Sequence, residues 1–367
     1  MSEAASKPVR KQDYRIALIP GDGIGHEVVP AAAAVLEKAG SRFGFRFEWA
    51  EFDWSCERYA KTGQMMPDDG VEQLRAFDGI FLGAVGYPGV EDHISLWGLL
   101  IPIRRAFDQY ANVRPLKLFE GVNSPLAGRG PGDIDMVIVR ENAEGEYSQM
   151  GGRIYAGTDR ETVIQESVFT RYGVDRIIRH AFELASRRAG GREKPGHVTS
   201  ATKSNGIIHT MPFWDERFEV IAAEYPKIET DKFHIDILTA HFVQHPDWFD
   251  VVVGSNLFGD ILSDLGAAVV GGMGLAPAAN LNPEGDHPSM FEPVHGSAPD
   301  IAGKGVANPV AQIWTGAMML DHLGEGEAAR AIEAAIAAVL ADGSVRTPDL
   351  GGQADTATLA QAIADAL

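Results

Sequence analysis

The chain has 367 residues, of which 45% are apolar and 23% charged, a composition typical of a globular protein with two domains or one large one. Its formal net charge of −19 argues against nucleic-acid and anionic-membrane partners, because both bind basic surfaces. No apolar run approaches the ~18 residues that a membrane span needs. The only cysteine is Cys56, so no intrachain disulfide can form, and the N-terminus has no apolar signal core; we therefore expect a cytoplasmic protein.

The first part of the chain alternates between strand and helix patterns. We predict strands over residues 14–20, 45–51 and 78–83, with helices over 26–39 and 68–77 between them. This order predicts a parallel sheet with helices on its faces. The next segments are a turn-rich loop over 86–97 expected near an active site, a helix over 99–107 and an extended run over 111–118.

A glycine-rich loop, GDGIG at residues 21–25, follows the first predicted strand. A dinucleotide fingerprint needs the spacing G-x-G-x-x-G, but position 26 is histidine. Asp22 would also repel a pyrophosphate. We therefore predict a tight turn here and not a Rossmann domain.

The composition changes near residue 119, where GVNSPLAGRGPGD forms a connection rich in glycine and proline. From residue 267 glycine becomes frequent again. The simplest division is an outer domain of residues 1–118 and 267–367, with a central domain of residues 119–266 inserted into it. The elements predicted after residue 119 are strands over 135–139, 197–199 and 233–238 and helices over 168–188, 206–225, 311–323 and 325–341.

A candidate metal site lies in FDVVVGSNLFGDILSDLGAAVVGGMG, residues 249–274. DVVVG reads as a buried strand, Ser255 and Asn256 offer an N-cap, and residues 257–265 carry a helical pattern. Asp260 and Asp264 stand four residues apart on one helix face, where two like charges repel by roughly 0.2–0.5 kcal/mol. They could be two solvated surface carboxylates, but their apolar neighbours and the preceding strand favour a site for Mg²⁺ or Mn²⁺.

Several other side chains are candidates for binding and acid–base chemistry. Arg104, Arg114 and Arg140 are possible carboxylate binders, because a guanidinium pairs bidentately with carboxylate, although each alone could be structural. Arg114 and Arg140 end apolar extended runs, which places them at strand ends. Three further candidates are Tyr147, alternatively a half-buried tyrosine; Lys203, alternatively a surface lysine; and Asp236, either at a strand edge or a site ligand.

Six separated motifs resemble those of the metal-dependent β-decarboxylating dehydrogenases, which include isocitrate and isopropylmalate dehydrogenases. They occur in family order over almost the whole chain: GDGIGHE, ANVRP, VIVRENAEGEY, SATKSNG, NLFGDILSDLG and EPVHGSAPDIAGKGVANP. Within the family, SLWGLL, RRAFDQYANVRP, QESVFTRYGVDRI and MPFWDERFE look most similar to the tartrate and D-malate dehydrogenase (decarboxylating) branch. The resemblance implies an α/β, isopropylmalate dehydrogenase-like two-domain fold with a large mixed sheet flanked by helices. It also implies a homodimer with active sites shared between subunits.

The resemblance also implies roles for particular residues. Arg104, Arg114 and Arg140 would hold the substrate carboxylates, and Tyr147 would protonate the enol. Lys203 of the other subunit would serve in proton removal from the substrate hydroxyl. The metal ligands would be Asp260 and Asp264 with Asp236 from the other subunit. The dinucleotide would be bound by Asn205 from across the dimer and by Glu292, His295, Gly296, Ser297, Ala298, Asp300 and Asn308. K⁺, commonly used in the family, has no readable site in the sequence.

Asp300 favours NAD over NADP, because its carboxylate can accept bonds from ribose hydroxyls and would repel a 2′-phosphate. NADP-using relatives carry Lys-Tyr where this chain has Asp300-Ile301. The substrate would be a 2-hydroxy dicarboxylate that is oxidised and then decarboxylated.

The loop over 96–101 is apolar, which argues against isocitrate. We expect Trp97 to fill the volume at C3 and so to favour D-malate or tartrate, with 3-isopropylmalate as the alternative. A non-catalytic protein that binds metal and dicarboxylate is the alternative of another class; Lys203 and Tyr147 argue against it.

Overall fold

Residues 10–190 and 195–367 are described in a computed structural model. The strands are β1 (Asp13–Gly21), β2 (Arg46–Glu51), β3 (Gly79–Ala84), β4 (Ala111–Lys117), β5 (Asp135–Glu141), β6 (Gly151–Ile154), β7 (Thr162–Gln165), β8 (His197–Thr202), β9 (Glu229–His234), β10 (Val251–Gly254), β11 (Pro277–Leu281) and β12 (Ser289–Pro293).

The α-helices are α1 (Gly25–Phe43), α2 (Cys56–Thr62), α3 (Gly70–Leu74), α4 (Asp92–Ser95), α5 (Ile101–Ala106), α6 (Arg171–Ala189), α7 (Thr210–Ala222), α8 (Ile235–Gln244), α9 (Asn256–Val269), α10 (Val310–His322), α11 (Gly326–Asp342) and α12 (Thr356–Ala366). Within the two described ranges, none of these helices combines the length and the apolar character needed to cross a bilayer.

The chain divides into two compact units. Among the described residues, the outer unit comprises residues 10–109, 114–133 and 267–367, and the central unit comprises residues 110–113, 134–190 and 195–266. The chain therefore passes from one unit to the other four times: between residues 109 and 110, within β4, between residues 133 and 134, and within α9. The resemblance assigns dinucleotide binding to the outer domain and dimerisation with metal and substrate binding to the central domain, and these roles stay predictions.

The outer unit is built on a mixed sheet with the strand order β2-β1-β3-β12-β11. All neighbours pair in parallel except β11 and β12, which are antiparallel. Alternate side chains of β1 enter two separate apolar cores, Ile16 and Leu18 on one face and Ala17 and Ile19 on the other. Helices α1, α10, α11 and α12 cover the first face, and residues of α5 pack into the core on the second. A sheet buried on both faces explains the continuous apolar run of β1.

The glycine-rich loop after β1 is a tight structural turn. Both oxygens of the Asp22 carboxylate accept backbone N–H groups, from Cys56 at 2.9 Å, Glu57 at 2.9 Å and Gly86 at 3.0 Å. Gly23 has a φ of 55°, and a Cβ there would lie 2.1 Å from the carbonyl oxygen of Ser297. The turn therefore needs glycine for a close chain crossing.

The central unit has a parallel sheet with the strand order β5-β10-β8-β9. Strand β10 (VVVG) is fully buried, as its β-branched run predicts. Strands β6 and β7 form a separate antiparallel ribbon that exposes Ile154, Val163 and Ile164 by more than half of each residue surface.

Some predicted elements are wrong. The strand predicted over 233–238 ends at His234, and Asp236 lies in the first turn of α8. Alternation over only a few residues cannot distinguish a strand end from a helix start. Arg114 lies inside β4 and not at its end. Strand β12 and the helices α2 and α12 have no counterpart among the predicted elements.

Candidate active site

The parallel strands of the central unit bring several candidate residues to one edge of its sheet. Arg140 is at the carboxyl end of β5, opposite Gly254, the last residue of β10. Lys203 follows β8, and Asp236 lies just after β9. Because carboxyl ends of parallel strands share an edge, this is the edge where open α/β sheets bind ligands.

The Asp260 carboxylate is in contact with two other predicted site residues. Arg140 donates from Nη1 to its Oδ1, and the Tyr147 hydroxyl donates to its Oδ2 at 2.9 Å. The Arg140 guanidinium also lies 5.5 Å from the centre of the Tyr147 ring. Arg140 is 5% exposed, whereas the Asp260 side chain keeps 35% of its surface accessible. A cationic carboxylate binder, a hydroxyl donor and a metal-type carboxylate are therefore in direct contact.

The pKa of Tyr147 is raised above its ordinary value. Burial is the main cause, because it disfavours the charged phenolate, and the negative charge of Asp260 adds to it. The hydroxyl therefore keeps its proton at neutral pH, which is the state required of a proton donor.

The turn between Arg140 and Tyr147 is hydrogen-bonded to the start of α9. The Glu146 carboxylate accepts the Ser255 hydroxyl at 2.7 Å and the Leu257 backbone N–H at 3.0 Å. A carboxylate at a helix N-terminus is favoured by the helix dipole. Asn256 accepts two bonds from Arg140 at 3.0 Å and 2.7 Å and donates to the carbonyl of Glu144 at 2.9 Å.

The buried carboxylate of Glu141 accepts backbone hydrogen bonds within the same turn. It is 2% exposed and accepts the backbone N–H groups of Ala143 and Glu144, the shortest bond being 2.7 Å. Burial raises the pKa of Glu141 to about 7, although these N–H donors oppose the shift. The cost of burying its charge outweighs the hydrogen bonds.

Lys203 and Asp236 form an ion pair with each other. The Nζ atom of Lys203 lies 2.8 Å from Oδ2 of Asp236, and the hydrogen bond from Lys203 is the main cause of a lowered pKa of Asp236.

Asp236 is exposed, as is Asp264 on α9. Within residues 10–190 and 195–367, no three His, Cys, Asp or Glu side chains form a group able to hold a metal ion. The three predicted metal ligands therefore do not come together within one chain.

In the outer unit, two predicted site residues pair with each other. Nη2 of Arg104 lies 2.6 Å from Oε1 of Glu292, and the same oxygen accepts Nδ2 of Asn280 at 2.7 Å. Arg104 is 8% and Arg114 7% exposed. An arginine predicted to bind substrate and a glutamate predicted to bind the dinucleotide thus form one buried ion pair.

The predicted dinucleotide loop follows β12. Ser297 accepts the backbone N–H of Ile24 at 2.9 Å, so the loop is joined to the turn before α1. Ala298 has a φ of 42°, and the amides of Ile301 and Ala302 donate to its carbonyl. Nε2 of His295 is buried and has no hydrogen-bond partner in the part of the chain that the structure describes. A buried ring nitrogen without a partner, in a loop that also carries the exposed residues Gly296 and Asp300, suits a loop that receives a polar ligand.

Two other predicted dinucleotide binders differ in their surroundings. Asn308 donates to Asp349 at 2.9 Å and accepts the backbone N–H of Val310 at 3.0 Å, so its amide already orders the start of α10. Asn205 is exposed in the loop after β8.

Trp97 lies in a π-helical turn, Leu96–Leu100, between α4 and α5. Sequence analysis predicted a loop up to residue 97. The guanidinium of Arg105 lies 5.1 Å from the centre of its ring. Short π-helical turns are rare and frequently occur at functional sites.

A family model described as isocitrate/isopropylmalate dehydrogenase matches residues 15–367. The chain belongs to this family. The predicted resemblance is thus confirmed, and so is the predicted fold class, an α/β fold with a large mixed sheet.

Two relatives and one solved structure are similar over nearly the full length. D-malate dehydrogenase (decarboxylating) of Escherichia coli (strain K12) is 60% identical over 356 residues, 95% of this chain and 97% of the relative. Tartrate dehydrogenase/decarboxylase of Pseudomonas putida is 57% identical over 362 residues, 96% of this chain and 98% of the relative. The crystal structure of isocitrate dehydrogenase from Methylococcus capsulatus matches with a TM-score of 0.85 and 40% identity over 96% of this chain and 99% of that one.

Two residues of this isocitrate/isopropylmalate dehydrogenase family member were not selected as site residues from the sequence. Glu146 and Asn256 contact predicted site residues or the helix that carries them. Glu146 is adjacent to Tyr147, and Asn256 is the first residue of α9. The sequence shows only that Glu146 is next to Tyr147 and that Asn256 lies at the start of the helical pattern. Neither position shows which side chain these two residues contact.

Proposed function

We propose that the protein catalyses NAD-dependent oxidation of a 2-hydroxy dicarboxylate with metal-assisted β-decarboxylation. The most favoured reactions are D-malate to pyruvate and CO₂ and the oxidation of tartrate. The observation that carries the proposal is the shared Asp260 carboxylate, because Arg140 and Tyr147 both contact it. The names of the D-malate and tartrate relatives favour these substrates over 3-isopropylmalate.

The donor set fits a hard divalent cation. Asp260 and Asp264 offer carboxylate oxygens one turn apart on α9, and Mg²⁺ and Mn²⁺ prefer such ligands. In this proposal Asp236 of the partner subunit completes the set. When bound, NAD supplies the hydride acceptor and the divalent cation stabilises negative charge on the substrate. Arg104, Arg114 and Arg140 bind the substrate carboxylates.

Two side chains move protons in this proposal. Lys203 of the partner subunit takes part in removing the proton of the substrate hydroxyl, and Tyr147 donates a proton to carbon after CO₂ has left. Proton donation needs a hydroxyl that keeps its proton, and the raised pKa of Tyr147 supports this. Trp97 and the π-helical turn around it would border C3 of the substrate.

The proposed dinucleotide site is the loop after β12. His295, Gly296, Ser297 and Ala298 would bind the dinucleotide together with Glu292 and Asn308. The exposed Asp300 carboxylate would bind the ribose hydroxyls and select NAD. Asn205 of the partner subunit would reach the nicotinamide.

A homodimer is part of the proposal. Lys203 and Asp236 pair with each other within the chain, and among the described residues Asp236 does not join Asp260 and Asp264 in a group able to hold a metal ion. Ile154, Val163 and Ile164 of the β6–β7 ribbon are exposed apolar side chains, which are common at protein–protein interfaces. K⁺ dependence and a cytoplasmic location remain expectations.

The first test is NADH formation with Mn²⁺ and D-malate, the tartrate isomers or 3-isopropylmalate, with NADP as the alternative cofactor. We expect NAD to be preferred, with D-malate or tartrate as the best substrate. A preference for 3-isopropylmalate would keep the chemistry but overturn the substrate. Absence of activity with every dicarboxylate would favour a non-catalytic binding protein.

The metal assignment is tested by Asp260→Asn at saturating Mn²⁺. We expect loss of most activity, because the amide removes the negative charge at the proposed metal ligand. Asp342→Asn, an exchange at an exposed carboxylate at the end of α11, is the matched control and should keep full activity. Full activity in Asp260→Asn would exclude the metal role.

A further inference from the structure

Two proposed active-site residues, Lys203 and Asn205, lie in one turn after β8, with Ser204 between them. The carbonyl oxygen of Lys203 accepts the backbone N–H groups of Gly206 at 3.0 Å and Ile207 at 2.9 Å. The segment is therefore a tight turn. Whatever fixes the position of this turn also fixes where the side chains of Lys203 and Asn205 begin.

The side chain of Ser204 joins this turn to helix α7. Its hydroxyl donates to Oδ2 of Asp215 at 2.7 Å. Asp215 lies in the interior of α7 and is only 8% exposed. Hydrogen bonds to a carboxylate are stronger than those between neutral groups, so this single contact can hold the turn against the helix.

Asp215 is itself held in place by its neighbours. Nζ of Lys232, on β9, lies 3.2 Å from the same oxygen that accepts the Ser204 hydroxyl. The preceding residue, Trp214, is fully buried and donates from Nε1 to the hydroxyl of Ser200 on β8 at 3.0 Å. Helix α7 is therefore bonded to the sheet directly beside Asp215, and the carboxylate is a fixed support for the turn.

Stability of the fold does not explain a carboxylate at this position. Oδ1 of Asp215 is buried and has no hydrogen-bond partner among residues 10–190 and 195–367, which costs free energy. Lys232 does not depend on Asp215, because its Nζ also lies 3.2 Å from Oε1 of Glu219. What Asp215 alone supplies is the acceptor for Ser204.

We propose that Asp215 is a positioning residue that acts through Ser204 to orient Lys203 and Asn205 for the partner subunit's active site. The inference rests on the proposed function, including its shared sites. In it, neither Asp215 nor Ser204 touches substrate or dinucleotide. Loss of their bond should therefore impair the site to which this turn contributes, and should leave intact the site that contains Asp260 of the same chain.

The kinetic test removes the bond from either end, with D-malate, NAD and Mn²⁺ in the assay. We expect Ser204→Ala and Asp215→Ala each to lower kcat about tenfold or more, because a misplaced proton-transfer group weakens the transition state. KM for D-malate should change less than about threefold, since the arginines that bind its carboxylates are unaltered. Asp215→Asn keeps an acceptor oxygen and should recover part of the loss. Ser41→Ala, at an exposed position on α1, is the matched control and should change neither value.

A double variant shows whether the two residues act together. Once Ser204→Ala has removed the hydroxyl, adding Asp215→Ala should lower kcat no further, because the bond through which Asp215 acts is already gone. Multiplied losses in kcat would show that Asp215 acts by another route and would overturn the proposal.

Mixed dimers distinguish positioning from general damage to the fold. Coexpression of Asp215→Ala with Asp260→Asn should restore about a quarter of full activity above the residual level, because half of random dimers are mixed and each has one intact site. Coexpression of Asp215→Ala with Lys203→Met should stay near the residual level, since both changes affect the same turn. A chain damaged throughout would recover in neither mixture.

Each result has a defined meaning. Unchanged kcat in Ser204→Ala and Asp215→Ala would overturn the role of Asp215. So would failure of Asp215→Ala to recover with Asp260→Asn while Lys203→Met does recover with it. Failure of both mixtures would instead contradict the shared sites of the proposed function, and with them this inference. If Asp215→Ala does not fold, Ser204→Ala in a surface turn replaces it in both mixtures.

Discussion

Both oxygens of the Asp260 carboxylate are engaged within the chain, one by Arg140 and the other by Tyr147. The proposed reaction gives these three residues different tasks, so a ligand must compete with bonds that already exist. Such competition lowers affinity, but it also keeps the side chains oriented before a ligand arrives. Single residues of this site therefore act as members of a network.

The proposed substrate preference depends on the side chain of Trp97. We expect Trp97→Ala to raise kcat/KM for 3-isopropylmalate about tenfold or more relative to D-malate, because removing the indole opens space for an apolar group. The measurement is the ratio of kcat/KM for the two acids. Trp49→Ala, in β2, removes a tryptophan that stacks on Phe47 and should leave the ratio unchanged. An unaltered preference in Trp97→Ala would exclude its role at C3.

Sequence reasoning identified Asp260, Arg140 and Tyr147 as candidates, and the structure places them in contact. It failed at Asp236, whose alternation with two isoleucines resembled a strand although the residue starts α8. Alternation over three residues fits either element, and only the neighbouring strand determines where β9 ends. Asn256 escaped notice because nothing in the sequence shows that its amide meets Arg140.

At the level of elements, α9 lies directly against β5. Gly259 makes this possible: a Cβ at this position would lie 2.5 Å from Cβ of Arg140. The same close approach brings Asp260, one residue later, to the guanidinium. Strand β5, the turn after it and the start of α9 are therefore packed directly against one another.

Replacing Gly259 by alanine tests this packing. Alanine is a better helix former by ~1 kcal/mol, but the clash with Arg140 should cost more, about 1–3 kcal/mol. We expect a net loss in the free energy of unfolding, measured with urea, together with reduced activity. Gly152→Ala in β6 is the control, because a Cβ there meets nothing within 4 Å. A more stable Gly259→Ala variant would show that α9 can move away from β5.

The buried Glu141 makes the turn after β5 sensitive to pH. Its folded pKa of about 7 exceeds the ordinary value of 4.5, so folding favours the protonated form. The stability contributed is fully present below about pH 4.5 and is lost as the pH rises through about 7. Between pH 5 and 8 we expect the free energy of unfolding to fall, relative to Glu141→Gln, by a few kcal/mol at ~1.4 kcal/mol per pKa unit.

Urea unfolding of both proteins across this pH range measures the effect. Glu229→Gln, at an exposed position at the start of β9, is the matched control and should follow the unaltered chain. Parallel curves for the unaltered chain and Glu141→Gln would show that Glu141 does not titrate in this range.

At the scale of the whole molecule, the β-α-β order of the first residues correctly indicated a sheet covered on both faces. The antiparallel pair β11–β12 was not predicted, because its short strands lie among glycine and proline residues that are typical of loops. The α2 helix has only seven residues, too few for a clear apolar period. Whether an element was predicted depended more on the number of residues in its apolar pattern than on the helix or strand preference of those residues.

Shared active sites can be tested by mixing two inactive variants. Lys203→Met and Asp260→Asn should each be inactive, but a mixed dimer has one site with both an intact Asp260 and the partner subunit's Lys203. Coexpression should restore about a quarter of full activity, because half of random dimers are mixed and each has one intact site. The control is coexpression of Tyr147→Phe with Asp260→Asn, whose residues belong to the same site, so no activity should return. No recovery in the first mixture would contradict shared sites.

The Asp22 carboxylate has a consequence for protein design. It lies where the first strand of many nucleotide-binding folds meets a phosphate, and it already accepts three backbone N–H groups. The chain thus supplies its own carboxylate at that place. A designer who wished to install a phosphate-binding loop after β1 would first have to remove Asp22 and find new acceptors for Cys56, Glu57 and Gly86. Without that change, the proposed dinucleotide site would stay at the loop after β12 while the rest of the surface is altered.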